Sequence, residues 1–255
     1  MPGMHKDQPP PLPWLEAGDD FPPVESAWPA GSPAPGLLAS GSALDATHLL
    51  RAYQRGIFPW FSAGQPVLWW SPDPRMVLCP ADFRLHRSLR QSLKHWLARA
   101  GAELVFDRDF PAVMRQCASA PRAGQHGTWI LPGMVEAYTA LHRQGLAHSA
   151  ELWHGGQLLA GLYFVALGHA VYGESMFTTV RDGSKLALSL LVSVARRHGV
   201  PLIDCQQNTR HLASLGAAEV PRAQFVAQMQ AAQSRPAIAW AQETLYWQEL
   251  FPDPL

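Results

Sequence analysis

The sequence predicts a layered α/β fold in which a mixed sheet is flanked by helices and preceded by a small, loop-rich N-terminal domain. Residues 148–177 form three strand-like runs separated by Gly155-Gly156 and Gly168, which indicates an antiparallel meander. Helix-like and strand-like segments alternate after this meander, as they do in layered α/β domains. A chain of 255 residues with 47% apolar content can bury one large core and a smaller appendage.

Prolines are concentrated near the N-terminus. Residues 1–20 include "QPPPLP", and we expect an extended or disordered tail there because proline cannot donate a backbone hydrogen bond. Residues 21–73 are assigned to the small domain, in which Asp45 is the expected N-cap of a short helix that stops at Gly56. "PVLWWSPDPRMVL" is typical of a strand, a proline-rich turn and a second strand, and this second strand opens the main domain, residues 74–255.

The segment "DFRLHRSLRQSLKHWLARAG" predicts an amphipathic helix. Leucines at spacings of four, followed by Trp96, mark its apolar face. The opposite face carries a basic stripe, formed by Arg84, Arg87, Arg90 and Lys94. Such a row is more often an ordinary solvated helix face than a binding surface, so both interpretations stay open at this point.

Further helices and strands follow in order. A helix is expected around Pro132 to Gln144, and Asp182 or Ser184 is expected to cap a helix through "KLALSLLVSVARR" that ends at Gly199. "VPLIDCQ" is typical of a buried strand and "NTRHLASLG" of a short helix. Pro221 is expected to open a last amphipathic helix.

Two carboxylates interrupt otherwise apolar strands. Alternation along the meander predicts that Tyr172, Glu174 and Met176 share one face of the sheet. Asp204 and Gln206 likewise share a side of the strand "LIDCQQN". An ionised carboxylate is rarely buried unless it is paired, so each acid either meets a cation or lines a cleft. A structural hydrogen-bond network could explain one such acid, but two of them favour a functional site.

Several classes of function are disfavoured by composition. Cys79, Cys117 and Cys205 are too few and too scattered for a disulfide framework, and no spacing suggests a metal site. Cys205 is a poor candidate nucleophile because no histidine stands at a telling spacing. The net charge of zero gives no sign of a nucleic-acid partner, so any nucleic acid would have to bind to a local patch of basic residues. No apolar run is long enough to span a membrane and no signal peptide is evident, so a cytoplasmic location is expected.

Tryptophans flanked by glycine or proline are the remaining signal. Trp60, Trp69, Trp70 and Trp129 all have such neighbours, and we expect them on turns. Exposed aromatic rings beside a basic helix are what recognition of single-stranded nucleic acid requires, because bases stack and phosphates need cations. The alternative is packing between the small and the main domain.

Four motifs together resemble a known family. "AYQRGIFPWFSAGQPVLWWSPDPRMVL", "HGTWI", "GESMF" followed by "SK", and "LIDCQQNTRHLASLGAAEVPR" are similar to the bacterial leucyl/phenylalanyl-tRNA-protein transferases, and the likeness runs from about residue 36 to about residue 225. The resemblance implies a GCN5-related acyltransferase-like main domain. It also implies transfer of leucine or phenylalanine, possibly also methionine, from aminoacyl-tRNA to the N-terminal arginine or lysine of a protein, which marks that protein for degradation. No cofactor and no metal are implied, and a monomer is expected.

The resemblance also assigns roles to residues. Asp204 and Gln206 would form the catalytic pair, with Asp204 orienting Gln206 and stabilising developing positive charge, and Glu174 would belong to the acceptor site. Trp60 and Trp129 would contact the terminal adenosine, and the stripe of Arg84, Arg87, Arg90 and Lys94 would bind tRNA. The aminoacyl pocket would be lined by Leu162, Val171, Leu191 and Ile203. Relatives have aromatic residues where this sequence has Val171 and Leu191, so the preference among leucine, phenylalanine and methionine stays open.

Two rival functions are considered. A coenzyme-A-dependent acetyltransferase would need a glycine-rich loop that cradles pyrophosphate, but the segment after the meander is "RDGSKL", with Ser184 and Leu186 where glycines should be. A non-catalytic adaptor could bind basic N-termini through Glu174 and Asp204 without transferring anything.

Overall fold

The computed structural model describes residues 11–120 and 130–251, which form two sheets flanked by helices. The small sheet has the order β1-β2-β4-β3. Its strands are β1 (Trp14–Leu15), β2 (Leu37–Gly41), β3 (Phe58–Pro59) and β4 (Val67–Trp70). The large sheet has the order β11-β5-β10-β9-β8-β7-β6. Its strands are β5 (Arg75–Leu78), β6 (Ala102–Phe106), β7 (Ala147–His154), β8 (Gln157–Leu167), β9 (Ala170–Thr178), β10 (Ile203–Asp204) and β11 (Ala218–Val220).

Eight α-helices accompany these strands within the described residues. They are α1 (Ala46–Gln54), α2 (Arg87–Leu97), α3 (Phe110–Ser119), α4 (Pro132–Arg143), α5 (Gly183–Arg197), α6 (Arg210–Ser214), α7 (Arg222–Gln233) and α8 (Trp247–Leu250). In this part of the chain no helix is both long and apolar enough to cross a membrane.

The predicted meander is confirmed. Strands β7, β8 and β9 pair antiparallel in sequence order, whereas β10 pairs parallel with β9 and antiparallel with β5. The large sheet is therefore mixed. It has a separate apolar core on each face: one contains residues of α2 and α5, and the other contains residues of α1, α3, α4, α7 and the small sheet. The predicted mixed sheet flanked by helices is confirmed.

Helix α5 is the central helix of the first core. Eleven of its fifteen residues are buried, as expected for a helix that is apolar on nearly all sides. Each fully buried leucine in it contributes about 2 kcal/mol of transfer free energy. α5 follows β9 in the chain and precedes β10.

Local signals placed several helix ends correctly. Asp45 caps α1 as predicted, by accepting a hydrogen bond from the backbone N–H of His48. Thr209, which was not predicted as a cap, accepts from the backbone N–H of Leu212 and caps α6. Asp182 precedes α5, but its carboxylate accepts from Lys185 and Ser92 instead of capping the backbone. The helix after Pro221 is α7, yet it is not the last, since the short α8 follows it.

The N-terminal segment differs from the prediction in one respect. Trp14 and Leu15 pair parallel with Ser40 and Gly41, so part of the expected disordered tail is a strand; residues 1–10 lie outside the described residues. β4 belongs to the small sheet and β5 to the large one. This arrangement supports the division at residues 73 and 74, which stays a prediction.

Two of the tryptophans expected on turns are core residues. Trp69 and Trp70 lie in β4 and are 1% and 8% exposed, and Trp69 packs edge-on against Phe21 at 4.9 Å between ring centroids. The prediction was wrong because the flanking proline and serine residues lie just outside the strand. Both rings belong to the core that also contains residues of α3, α4 and α7.

A β-bulge in β9 overturns the predicted alternation. Tyr163 pairs with Ser175, while the next residue, Phe164, pairs with Gly173, so Glu174 is an extra residue in its strand. As a result Tyr172 packs in one core and Met176 against the other. Tyr172, Glu174 and Met176 therefore do not share a face, because the inserted residue reverses the alternation beyond it.

Candidate active site

A cavity of about 350 Å³ lies where β9 and β10 run side by side. Parallel pairing aligns Tyr172 with Asp204, so the chain positions two residues further on, Glu174 and Gln206, come to the same edge of the sheet. Both line the cavity, together with Asp204. Glu174 and Asp204, the two acids that favoured a functional site, therefore line the same cavity.

The rest of the lining is mostly apolar. It comes from β3 of the small sheet and from β8, β9, β10, α5 and α6. Its apolar side chains include Phe58, Leu162, Met176, Leu188, Leu191, Ile203 and Leu212. Three of the four residues predicted for an aminoacyl pocket, Leu162, Leu191 and Ile203, are in this set.

Val171 is not part of the cavity. It pairs with Ile203 across the parallel strands, is 0% exposed, and packs in the core that contains α5. That prediction came from the resemblance and was wrong, because Val171 is enclosed in the core that also contains Leu162, Leu191 and Ile203 and does not reach the cavity. Met176 and Leu188 instead line the cavity. Which residues of this core reach the cavity depends on how β8, β9, β10 and α5 pack together, so sequence alone could not have shown it.

Asp204 forms a buried, bidentate ion pair with Arg75. The Nε of Arg75 donates to Oδ1 of Asp204 at 2.7 Å and its Nη2 donates to Oδ2 at 2.6 Å. The side chains are 1% and 0% exposed. The guanidinium also lies between the rings of Phe58 and Phe225, at 4.7 and 4.6 Å from their centroids. Sequence reasoning missed Arg75, although an arginine inside the apolar strand "RMVL" needs a buried partner and could have been found by that rule.

Gln206 lies in a tight turn that follows β10, not in a strand. Its backbone has φ +57°, and its N–H donates to Oδ1 of Asp204 at 3.0 Å, which is the hydrogen bond of an Asx-turn. The side-chain Nε2 donates to the carbonyl of Gly173 at 2.7 Å and to Oε1 of Glu174 at 3.4 Å. Within residues 11–120 and 130–251 these are its only side-chain hydrogen bonds, so Oε1 of Gln206 is left to accept from a ligand.

Glu174 is surrounded by tyrosines. Tyr138 donates its hydroxyl to Oε2 of Glu174 at 3.1 Å, and the hydroxyls of Tyr53 and Tyr138 are hydrogen-bonded to each other. Burial raises the pKa of Glu174 to about 8, and the nearby charge of Asp204 adds to this rise, whereas the tyrosine hydrogen bonds and Arg75 oppose it. At neutral pH the carboxyl group of Glu174 is therefore mostly protonated.

Cys205 also lines the cavity, but its thiol is not activated. Its Sγ donates to the carbonyl of Ile203 at 3.6 Å. Burial raises the pKa of the thiol well above its ordinary value, and the neighbouring Asp204 charge adds to this effect. A thiol held in its neutral form is a poor nucleophile.

Of the two tryptophans expected near a base, one can be placed. Trp60 is half-buried at the rim of the cavity, and the indole of Trp70 supports it by donating from Nε1 to the Trp60 carbonyl at 2.7 Å. The two rings meet edge-to-face at 5.6 Å between centroids. Trp129 lies outside the described residues.

The basic stripe is solvent-exposed and begins beside the cavity wall. Its four cations, Arg84, Arg87, Arg90 and Lys94, are all exposed, and Arg90 lies over the ring of Phe251 at 4.6 Å. The backbone N–H of Arg84 donates a hydrogen bond to the carbonyl oxygen of Leu215 at 2.9 Å. Leu215 directly follows α6, which itself contributes Leu212 to the cavity lining.

Histidine, cysteine, aspartate and glutamate side chains form no group of three or more that could hold a metal ion in the described part of the chain. The polar side chains that line the cavity include Glu174, Ser175, Asp204, Gln206, Gln207, Thr209 and His211. An amide acceptor, a carboxyl group and an apolar wall suit a reaction between an amine and an acyl group.

Comparison with known proteins agrees with this arrangement. Residues 77–230 match the family model described as leucyl/phenylalanyl-tRNA protein transferase, and residues 42–73 match the model of its N-terminal domain. A protein named leucyl/phenylalanyl-tRNA–protein transferase from Polaromonas sp. (strain JS666) is 58% identical over 95% of this chain and 95% of its own length. Proteins of the same name from Albidiferax ferrireducens and Burkholderia vietnamiensis are each 54% identical, over 95% and 90% of this chain and 96% and 90% of their own lengths. This chain belongs to the leucyl/phenylalanyl-tRNA–protein transferase family.

Proposed function

We propose that this protein transfers leucine or phenylalanine from aminoacyl-tRNA to the N-terminal arginine or lysine of a protein, and so marks that protein for degradation. The reaction is direct aminolysis of the aminoacyl ester. Besides membership of the family, the observation that carries the proposal is the cavity, in which an apolar wall adjoins the free Oε1 of Gln206 and the carboxyl group of Glu174.

The apolar wall holds the side chain of the transferred amino acid. Leu162, Leu191 and Ile203 belong to it, and burying a leucine or phenylalanine side chain there provides about 2 kcal/mol of binding free energy. Methionine is of similar size and is unbranched at its β-carbon, so it is a third candidate substrate. Trp60 at the rim stacks on the terminal adenine, and Trp129 is proposed to share this role.

Glu174 binds the basic N-terminal residue of the acceptor protein. Its pKa of about 8 means that a guanidinium or ammonium group entering the cavity lowers this pKa and drives off the carboxyl proton. Binding of the acceptor is thus coupled to release of a proton. Exchange to glutamine removes the charge and is expected to raise the KM for an arginine peptide more than the KM for leucyl-tRNA.

The reaction itself needs no nucleophile from the enzyme. An α-amine has an ordinary pKa of about 7.7 to 8.0, so roughly a tenth of it is neutral at pH 7. The neutral amine attacks the ester carbonyl while it donates a hydrogen bond to Oε1 of Gln206. A C–N bond forms, the bond between the carbonyl carbon and the ribose oxygen breaks, and the proton lost by the nitrogen is taken up by that ribose oxygen. Positioning of amine and ester is the main source of rate enhancement.

Asp204 acts through Gln206. We expected its carboxylate to stabilise developing positive charge, but the carboxylate is already occupied by Arg75 and by the backbone N–H of Gln206. Asp204 is therefore proposed as a positioning residue, and Gln206 as the residue that touches the reacting amine.

The stripe of Arg84, Arg87, Arg90 and Lys94 is proposed to bind the tRNA beyond its 3′ end. Its exposure supports this role, and so does the link from Arg84 through Leu215 to the helix that borders the cavity. We further propose that the protein acts as a monomer in the cytoplasm.

The two rivals are separated from this proposal by one experiment. The purified protein is incubated with leucyl-tRNA carrying labelled leucine and with a peptide that begins with arginine; a matched peptide with an acetylated N-terminus is the control. Label on the free peptide and not on the acetylated one supports the transferase. Label transferred only from acetyl-CoA in a parallel reaction would instead support an acetyltransferase, and peptide binding without transfer would support an adaptor.

A further inference from the structure

The proposed reaction assigns no role to Arg75, the buried cation that is paired with Asp204. Arg75 lies in β5, it is 0% exposed, and both of its bonds to Asp204 are charge-assisted. Removing such a cation leaves an uncompensated buried carboxylate. Oδ1 of Asp204 accepts two hydrogen bonds, one from the Nε of Arg75 and one from the backbone N–H of Gln206.

We propose that Arg75 is a positioning residue for aminoacyl transfer, because its ion pair with Asp204 fixes the turn that presents Oε1 of Gln206 to the cavity. This inference rests on the proposed function. It assigns the role to a residue that does not itself line the cavity.

The turn at Gln206 needs an external restraint. A glutamine at φ +57° is in the left-handed region, which residues with a side chain adopt only when their surroundings impose it. Two restraints come from β5. Arg75 holds Asp204, and the next residue, Met76, donates its N–H to the Gln206 carbonyl at 3.3 Å and accepts from the N–H of Cys205 at 2.9 Å. The turn is thus clamped by adjacent residues of one strand.

The ring contacts of Arg75 extend this clamp to the small sheet. Phe58 lies in β3, lines the cavity, and is two residues before Trp60 at the rim. Phe225 lies in α7 on the main domain. The guanidinium between the two rings therefore couples the position of Gln206 to that of the segment that carries Trp60.

Stability alone is a poor explanation for this arrangement. Buried ion pairs can often be replaced by apolar side chains of similar volume without loss of stability, because desolvation offsets the attraction between the charges. A role that is only structural should therefore survive replacement of both partners together, whereas a positioning role should not.

Two double variants test this difference. Arg75→Met with Asp204→Asn and Arg75→Met with Asp204→Leu both remove the ion pair, but only asparagine can still accept from the Gln206 N–H. We expect both to transfer leucine at least tenfold more slowly than the unmodified protein at equal folded concentration, and the asparagine variant to be at least fivefold faster than the leucine variant. Rates near that of the unmodified protein in both would contradict the proposal, as would equal loss in both.

A second measurement does not depend on transfer or on the double variants folding. Arg75→Lys keeps the charge but cannot form the bidentate pair. We expect the side-chain NH₂ resonance of Gln206, assigned by its loss in Gln206→Glu, to shift in ¹H–¹⁵N spectra of Arg75→Lys without substrate. Arg235→Lys is the matched control, because the side-chain hydrogen bonds of Arg235 to described residues go to the carbonyls of Gly199 and His198. An unshifted Gln206 resonance in Arg75→Lys would refute the positioning role. Failure of the unmodified protein to transfer leucine would refute only the proposed function.

Discussion

The raised pKa of Glu174 gives the free energy of unfolding a distinctive dependence on pH. The folded protein keeps a proton on this carboxyl group up to about pH 8, whereas the unfolded chain loses it near pH 4.5. Between these values the folded state binds more protons than the unfolded state, so stability falls as pH rises. At about 1.4 kcal/mol per pH unit, the loss across the whole range is about 5 kcal/mol.

Exchange of Glu174 for glutamine should remove this dependence. Glutamine is neutral at every pH and its amide oxygen can still accept from Tyr138. We expect the variant and the unmodified protein to have similar stability near pH 5. By pH 8 to 9 the variant should be the more stable by several kcal/mol, a large part of the total stability of a typical domain.

Urea unfolding at pH 5, 6, 7, 8 and 9 measures this difference directly. Glu25→Gln serves as the control, since Glu25 is an exposed carboxylate near the N-terminus. The free energy of unfolding of this control variant should equal that of the unmodified protein at each pH. A Glu174→Gln variant whose stability falls with pH as steeply as that of the unmodified protein would show that Glu174 does not hold its proton in the folded state.

Three further changes have defined outcomes. Charge reversal of Arg87 and Arg90 should weaken tRNA binding and lower the slope of log affinity against log salt by about 2, and an unchanged slope would make that helix face an ordinary solvated one. Trp60→Ala should raise the KM for leucyl-tRNA about tenfold through lost stacking, while an unchanged KM would remove Trp60 from the adenosine site. Cys205→Ser should keep transfer within about twofold of the unmodified rate because the thiol is neutral; loss of transfer, or labelled leucine covalently attached to the protein, would point to an acyl-enzyme intermediate.

The parts of the fold that depend on neighbours in sequence were predictable. Asp45 and Thr209 are short polar residues just before apolar helical patterns, and such residues satisfy the free N–H groups of a helix start wherever the chain folds. The meander was predictable for a similar reason, since Gly155, Gly156 and Gly168 all adopt positive φ values that favour glycine. The motifs identified the family because they are long and specific.

The parts of the site that depend on distant contacts were not predictable. The bulge at Glu174 is set by the pairing of β9 with β8, and it places Tyr172 and Met176 in different cores. Arg75 meets Asp204 across 129 positions of sequence. Sequence could show that Arg75 and Asp204 each need a buried partner of opposite charge. Only the pairing of β5 with β10 shows that the two residues are partners of one another.

The central claim is that transfer takes place in the cavity between β9 and β10, and Leu212→Trp tests it most directly. Leu212 is a half-buried residue of α6 that lines the cavity, so an indole there fills space meant for the aminoacyl group without disrupting a core. Leu158→Trp is the control, because Leu158 is also half-buried but lies at the start of β8 and outside the cavity lining. We predict that Leu212→Trp unfolds at the same urea concentration as the control and loses most transfer of labelled leucine to an arginine peptide. Equal transfer by the two variants would contradict the account.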